Sequence, residues 1–127
     1  MSNSAMNLPE IHKNNIDNYL DKEDIILATI QQIMKDFGMF GLEITFSGDI
    51  NQAYQEMHSQ LTQQVDLLIV RDAGRLYSIL YQVDISNKAL EITHQENPEF
   101  TIVEVIAHQI IERDLKKVLT RRYFSSL

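Results

Sequence analysis

Cysteine and tryptophan are missing from this chain of 127 residues, and glycine (four) and proline (two) are scarce. Without cysteine there is no disulfide framework, no thiolate nucleophile and no Cys-ligated zinc or iron–sulfur cluster. The few glycines form no phosphate-cradling cluster, which removes a P-loop and a dinucleotide-binding turn. Asp36, Phe37 and Gly38 spell a kinase tripeptide, yet the Gly-rich loop and catalytic-loop signatures that give it meaning are lacking. No apolar run approaches the roughly 20 residues that span a bilayer. Asn7, Glu10 and Asn14 stand where a secretory signal needs an apolar core. The expectation is a cytoplasmic protein with no membrane contact and no cofactor.

What is present is acid, unevenly placed. The net charge is −7. Residues 1–112 hold 17 acidic and 6 basic side chains, and residues 113–127 hold 1 acidic and 5 basic ones. An acidic body repels a phosphate backbone, so nucleic-acid binding has to rest on the terminal helix alone and is not expected. Self-complementary assembly fits better, the basic end of one copy meeting the acidic body of another, and an acidic protein partner would use the same cations.

Residues 1–19 read as a flexible leader and residues 20–127 as one domain, because a chain of this length buries only about 65% of its unfolded surface in a single core. Asp21 as a cap and Leu20 with Ile25 as a staple open a helix over 22–37, with Ile26, Ile30, Ile33 and Phe37 at helical spacing and Gly38 as its stop. Leu42, Ile44 and Phe46 alternate with polar residues, the period of a half-buried strand. Asp49 caps a second helix carrying Ala53, Met57 and Leu61. Val65–Val70 and Leu76–Ile85 are rich in branched and aromatic residues, and Asp72, Ala73 and Gly74 between them fit a three-residue hairpin loop. Residues 86–96 fit a helical turn or an edge strand. Asn97 and Pro98 begin a long helix reaching about residue 123.

The expected fold is therefore a two-layer α+β domain of order α-β-α-β-β-α, with a small mixed three-stranded sheet, a β-hairpin and a long C-terminal helix. On the second hairpin strand Tyr77, Ile79, Tyr81, Val83 and Ile85 share one face and Leu76 and Leu80 the other. Three helices cannot cover a sheet that is apolar on both sides, which predicts a homodimer with Tyr77, Ile79, Tyr81 and Val83 at the interface, joined by Arg113, Lys117 and Arg121.

Chemistry has few candidates. Glu104, His108 and Glu112 recur every four residues, which stacks two carboxylates and an imidazole on one helix stripe, with His94 as a loop partner. That pattern suits a divalent metal or a poised general base in a small metal-assisted hydrolase. Against it stands the ordinary solvated helix edge. Asp66 and Asp84 fall on adjacent expected strands, but Gln82, Val83 and Asp84 lack the lysine that a restriction-type nuclease strand requires. The leading expectation is an interaction or accessory module, acting as a homo-oligomer without catalysis of its own. Hydrolysis comes second and nucleic-acid binding third.

Overall fold

A computed structural model of the chain describes residues 22–125. The leader, the Asp21 cap and the Leu20 staple lie outside the described residues. Helix makes up 81% of the described chain and strand none, so the α+β expectation is overturned: the fold is all-α. Five helices follow one another, α1 (Lys22–Gly38), α2 (Ala53–Arg71), α3 (Ala73–Val83), α4 (Asn87–Glu96) and α5 (Ile102–Ser125), with a short 3₁₀ turn at Ile50–Gln52 leading into α2.

The reason for the correction lies in which residues the core selects. From Met57 the buried side of α2 continues unbroken through Leu61, Val65 and Leu68, steps of four and three, so the expected strand at 65–70 is the last turns of one helix. In α3 the buried residues are Leu76, Ile79, Leu80 and Val83, again at helical spacing. Residues two apart stand about 200° apart around a helix. The supposed single face is thereby split: Ile79 and Val83 enter the core, whereas Tyr77 and Tyr81 point to solvent.

The presumed hairpin loop is a helix junction. Asp72 separates α2 from α3 and caps the latter, its Oδ1 accepting from Arg75 N–H at 3.1 Å. Gly74 does not adopt the left-handed conformation a bulge would need. Arg75 in turn donates to Asp72 Oδ2 at 3.0 Å and to the Phe40 carbonyl at 3.3 Å, tying the start of α3 to the loop after α1. With no hairpin, Asp66 and Asp84 are not on paired strands, and the two-faced sheet that called for a second copy does not exist.

Both α1 and α3 end in the same way. Leu42 N–H bonds to Phe37 O and Gly41 N–H to Gly38 O, with Gly41 at φ +78°. Ile85 N–H bonds to Leu80 O and Asp84 N–H to Tyr81 O, with Asp84 at φ 71°. These are paired six-to-one and five-to-two closures, which satisfy the last carbonyls of a helix. Gly41, not Gly38, is thus the left-handed stop of α1. Asp84 holds a conformation that favours glycine, and its carboxylate is anchored by Arg113 at 2.7 Å.

Residues 42–47 form neither helix nor strand, and no strand neighbours them among the described residues. Two α2 side chains one turn apart take its place. Gln60 accepts from Thr45 N–H at 3.0 Å and donates to Thr45 O at 2.7 Å, and Glu56 accepts from Ser47 Oγ at 2.7 Å. Ile44 is buried, with Leu42 and Phe46 packed partly against the core. At the other end of the chain, Asn97 caps the end of α4, its Nδ2 donating to Thr93 O at 2.9 Å. Asn97 and Phe100 then close a turn with Pro98 at its second position, so α5 begins later than its proline suggests. Its start is a capping box: Thr101 N–H donates to Glu104 Oε1 at 2.8 Å, and Glu104 N–H to Thr101 Oγ1 at 3.2 Å. α5 packs against α1, α2, α3 and α4 and is buried on several sides from Val105 to Ile111. No described helix is long and apolar enough to cross a membrane.

Candidate functional site

The stripe Glu104, His108, Glu112 lies on α5 as its spacing requires, but its members have separate duties. The Glu104 carboxylate is held in the capping box just described. His108 is 2% exposed, and its Nδ1 is hydrogen-bonded to the Tyr54 hydroxyl of α2 at 2.8 Å. Glu112 is half-buried one turn further on. His94 sits on α4 and bonds through Nε2 to the Phe100 carbonyl at 3.0 Å, bracing the α4–α5 turn. Among the described residues no three His, Asp or Glu side chains converge on a point where a metal ion could bind.

What the stripe does assemble is a buried polar seam between α2 and α5. Tyr54 stacks on His58 with ring centres 5.5 Å apart and meets His108 edge-on at 6.0 Å. His58 Nε2 contacts the Glu104 carbonyl at 3.2 Å, a backbone group at the start of α5 whose carbonyl stays reachable from α2. Burial pushes the His108 imidazole below its ordinary pKa, and the neighbouring His58 adds to this while Glu112 opposes it. Burial, reinforced by the Glu112 charge, pushes the Tyr54 hydroxyl well above the usual phenol range. Both groups are therefore neutral at pH 7. A cavity of about 20 Å³ adjoins Tyr54, lined by Ile26, Ile30, Ile33, Met57, Ile111 and other apolar side chains. It is the size of a single water and holds no substrate. A base and a phenol closed in this way fasten two helices.

Three of the five basic residues of α5 are similarly engaged. Arg113 pairs with Asp84 at the end of α3, Lys117 Nζ donates to the Gln82 carbonyl at 3.2 Å, and Arg121 donates to Gln32 Oε1 of α1 at 2.9 Å. Positive charge gathers at this end because α5 reaches across to α1 and α3, and its cations fasten it to both.

The exposed surface is distinctive elsewhere. On α3, Tyr77 and Tyr81 stand one turn apart and are 63% and 88% exposed. At the end of α2, Val70 is 81% exposed, with Leu67 and Ile69 also open to solvent. The solvent side of α3 consists of Ala73, Gly74, Arg75, Tyr77, Ser78, Tyr81 and Gln82. Its one charged member, Arg75, is paired with Asp72, and the stripe itself holds no Asp or Glu in a chain of net charge −7. His58 and Asp114 went unmarked in the sequence, Tyr54 reads there only as part of an apolar helix face and Asp36 only as part of a chance tripeptide; Asp114 betrays itself only as a carboxylate at a core position, three residues from Ile111 and four from Val118.

The chain matches no protein-family model, no curated protein and no solved structure.

Proposed function

We propose that this protein is a non-catalytic, cytoplasmic interaction module that self-associates through the outer face of α3. The observation that carries the reading is the exposure of Tyr77 and Tyr81 on a face without free charge. Tyrosine is concentrated at protein interfaces because it offers a large, stiff contact area with a polar tip. Two copies each of net charge −7 repel one another over most of their surface. The carboxylate-free stripe is where they approach at least cost. A two-fold pairing, in which α3 of one copy meets α3 of the other, needs no second surface.

Sedimentation equilibrium over a wide range of protein concentration tests this. The expected result is a reversible dimer, lost in the double variant Tyr77→Ser, Tyr81→Ser, and tightened by added salt because screening weakens the repulsion between copies. A monomer at every concentration, or a dimer indifferent to both tyrosines, refutes it.

A further inference from the structure

Asp36 on α1 and Asp114 on α5 are 1% and 0% exposed, and their carboxyl groups meet between the two helices. Asp36 Oδ1 accepts from Gln32 Nε2 at 2.9 Å. The remaining Oδ2 of Asp36 and both oxygens of Asp114 have no N–H or O–H donor within hydrogen-bond reach. The closest cation, Lys117 Nζ, stands 3.7 Å from Asp114 Oδ1, beyond a hydrogen bond, and donates to the Gln82 carbonyl. Two ionised carboxylates here would bury two negative charges against one partly engaged cation and leave three oxygens unsatisfied. A folded chain relieves such a site by keeping a proton in it.

We propose that Asp36 and Asp114 share a single proton, which lets one carboxyl donate a hydrogen bond to the other and latches α1 to α5, and that loss of this proton at mildly alkaline pH releases the latch. With one proton the pair carries one negative charge, which Lys117 balances; with none it carries two. The groups facing the pair are few. On α5 these are Lys117 and, one turn on, Arg121, which reaches α1 through Gln32. α3 offers the uncharged Gln82 carbonyl; Asp84, just past the end of α3, is largely exposed and paired with Arg113. Through Lys117 the latch also touches the last turn of α3.

The direction of the pH effect follows. Burial first, then the hydrogen bond and charge of Asp36, push Asp114 up to about 8, with Lys117 opposing. An unfolded Asp titrates near 3.9, so the folded chain binds the proton more tightly. The stabilisation is complete below about pH 4 and is lost as the pH rises to about 8 and through it; within that window the folding constant falls by up to about tenfold per pH unit.

Urea denaturation of the full chain at steps between about pH 6 and pH 9 measures this slope. Asp114→Asn and Asp36→Asn should each flatten it relative to the wild type, because either amide supplies a permanent N–H to the remaining carboxylate. Groups that titrate elsewhere are common to all three chains and drop out of the difference. A slope that survives Asp36→Asn means that Asp114 titrates alone, which overturns the shared proton. Infrared spectroscopy of the unaltered protein keeps the proposal testable if a variant fails to fold. The C=O stretch of a protonated carboxyl should be present near neutral pH, where exposed acids are ionised, and should fade on the alkaline side. Its absence near neutral pH overturns the proposal.

Discussion

Replacing Ile79 and Tyr81 one at a time by alanine separates the helical arrangement of α3 from the alternating one its sequence suggests. Ile79 is fully buried, and Tyr81 is, among the described residues, the most exposed of the large apolar side chains at 88%. Deleting a buried isoleucine down to alanine removes its transfer energy and leaves a void lined by the core, a cost of about 2–5 kcal/mol. A side chain as open as Tyr81 contributes within about 0.5 kcal/mol. Against a total stability of about 5–15 kcal/mol, the first change is large and the second nearly silent. Urea titration followed by far-ultraviolet circular dichroism reads both, at protein concentrations low enough to keep any dimer dissociated. With a slope of about 2 kcal/mol per molar urea, Ile79→Ala should lower the midpoint by about 1–2.5 M. Were Tyr77, Ile79, Tyr81 and Val83 on one face, both substitutions would cost alike. A Tyr81→Ala loss comparable to that of Ile79→Ala refutes the helical assignment.

Other outcomes follow from the same geometry. His108 has a folded pKa below its unfolded value near 6.5, so the stability it supports is full above that pH and declines as the pH falls, by at most about 1.4 kcal/mol per unit. Denaturation curves of His108→Gln should lack this acid limb. Glu104→Ala breaks the capping box of α5 and should cost about 1 kcal/mol, with faster amide exchange confined to the first turn of the helix. Gln60→Ala strips the surrogate strand from Thr45; proteolysis within residues 42–47 should accelerate while the unfolding midpoint moves little, since those contacts are exposed.

How much of this was readable in the sequence varies along the chain. α1 was legible because Ile30, Ile33 and Phe37 repeat at helical steps between a polar start and a glycine-flanked end. Residues 65–85 were not, since Val65–Val70 and Tyr77–Ile85 are branched and aromatic enough to satisfy a strand's composition, and propensity yields to packing. The discriminating signal was the continuation of Ala53, Met57 and Leu61 to Val65 and Leu68, which an expected strand beginning at Val65 interrupts. What disguised it was the apolar residues on the wrong side, Leu67, Ile69, Val70, Tyr77 and Tyr81, all exposed. Sequence reasoning assumes that large apolar groups face inward and fails where a surface keeps them outside for another purpose. The metal stripe was legible as spacing and misleading as chemistry: a four-residue repeat aligns Glu104, His108 and Glu112 without saying that one caps a helix and another bonds to Tyr54. The sheet that called for a second copy is absent among the described residues, and the tyrosine face is the observation that supports the proposed homodimer.

That face is most directly tested by exploiting the absence of cysteine. Ser78 lies on the exposed side of α3 between Tyr77 and Tyr81, and Ser59 is exposed on another helix, α2. Ser78→Cys and Ser59→Cys each introduce the chain's only thiol. If two copies pair through α3, mild oxidation should link the Ser78→Cys protein rapidly into a disulfide dimer, with the Ser59→Cys protein remaining largely monomeric and the Ser78→Cys link suppressed by Tyr77→Ser and Tyr81→Ser. Equal cross-linking at both positions, or none at Ser78→Cys, would contradict a homotypic contact at α3.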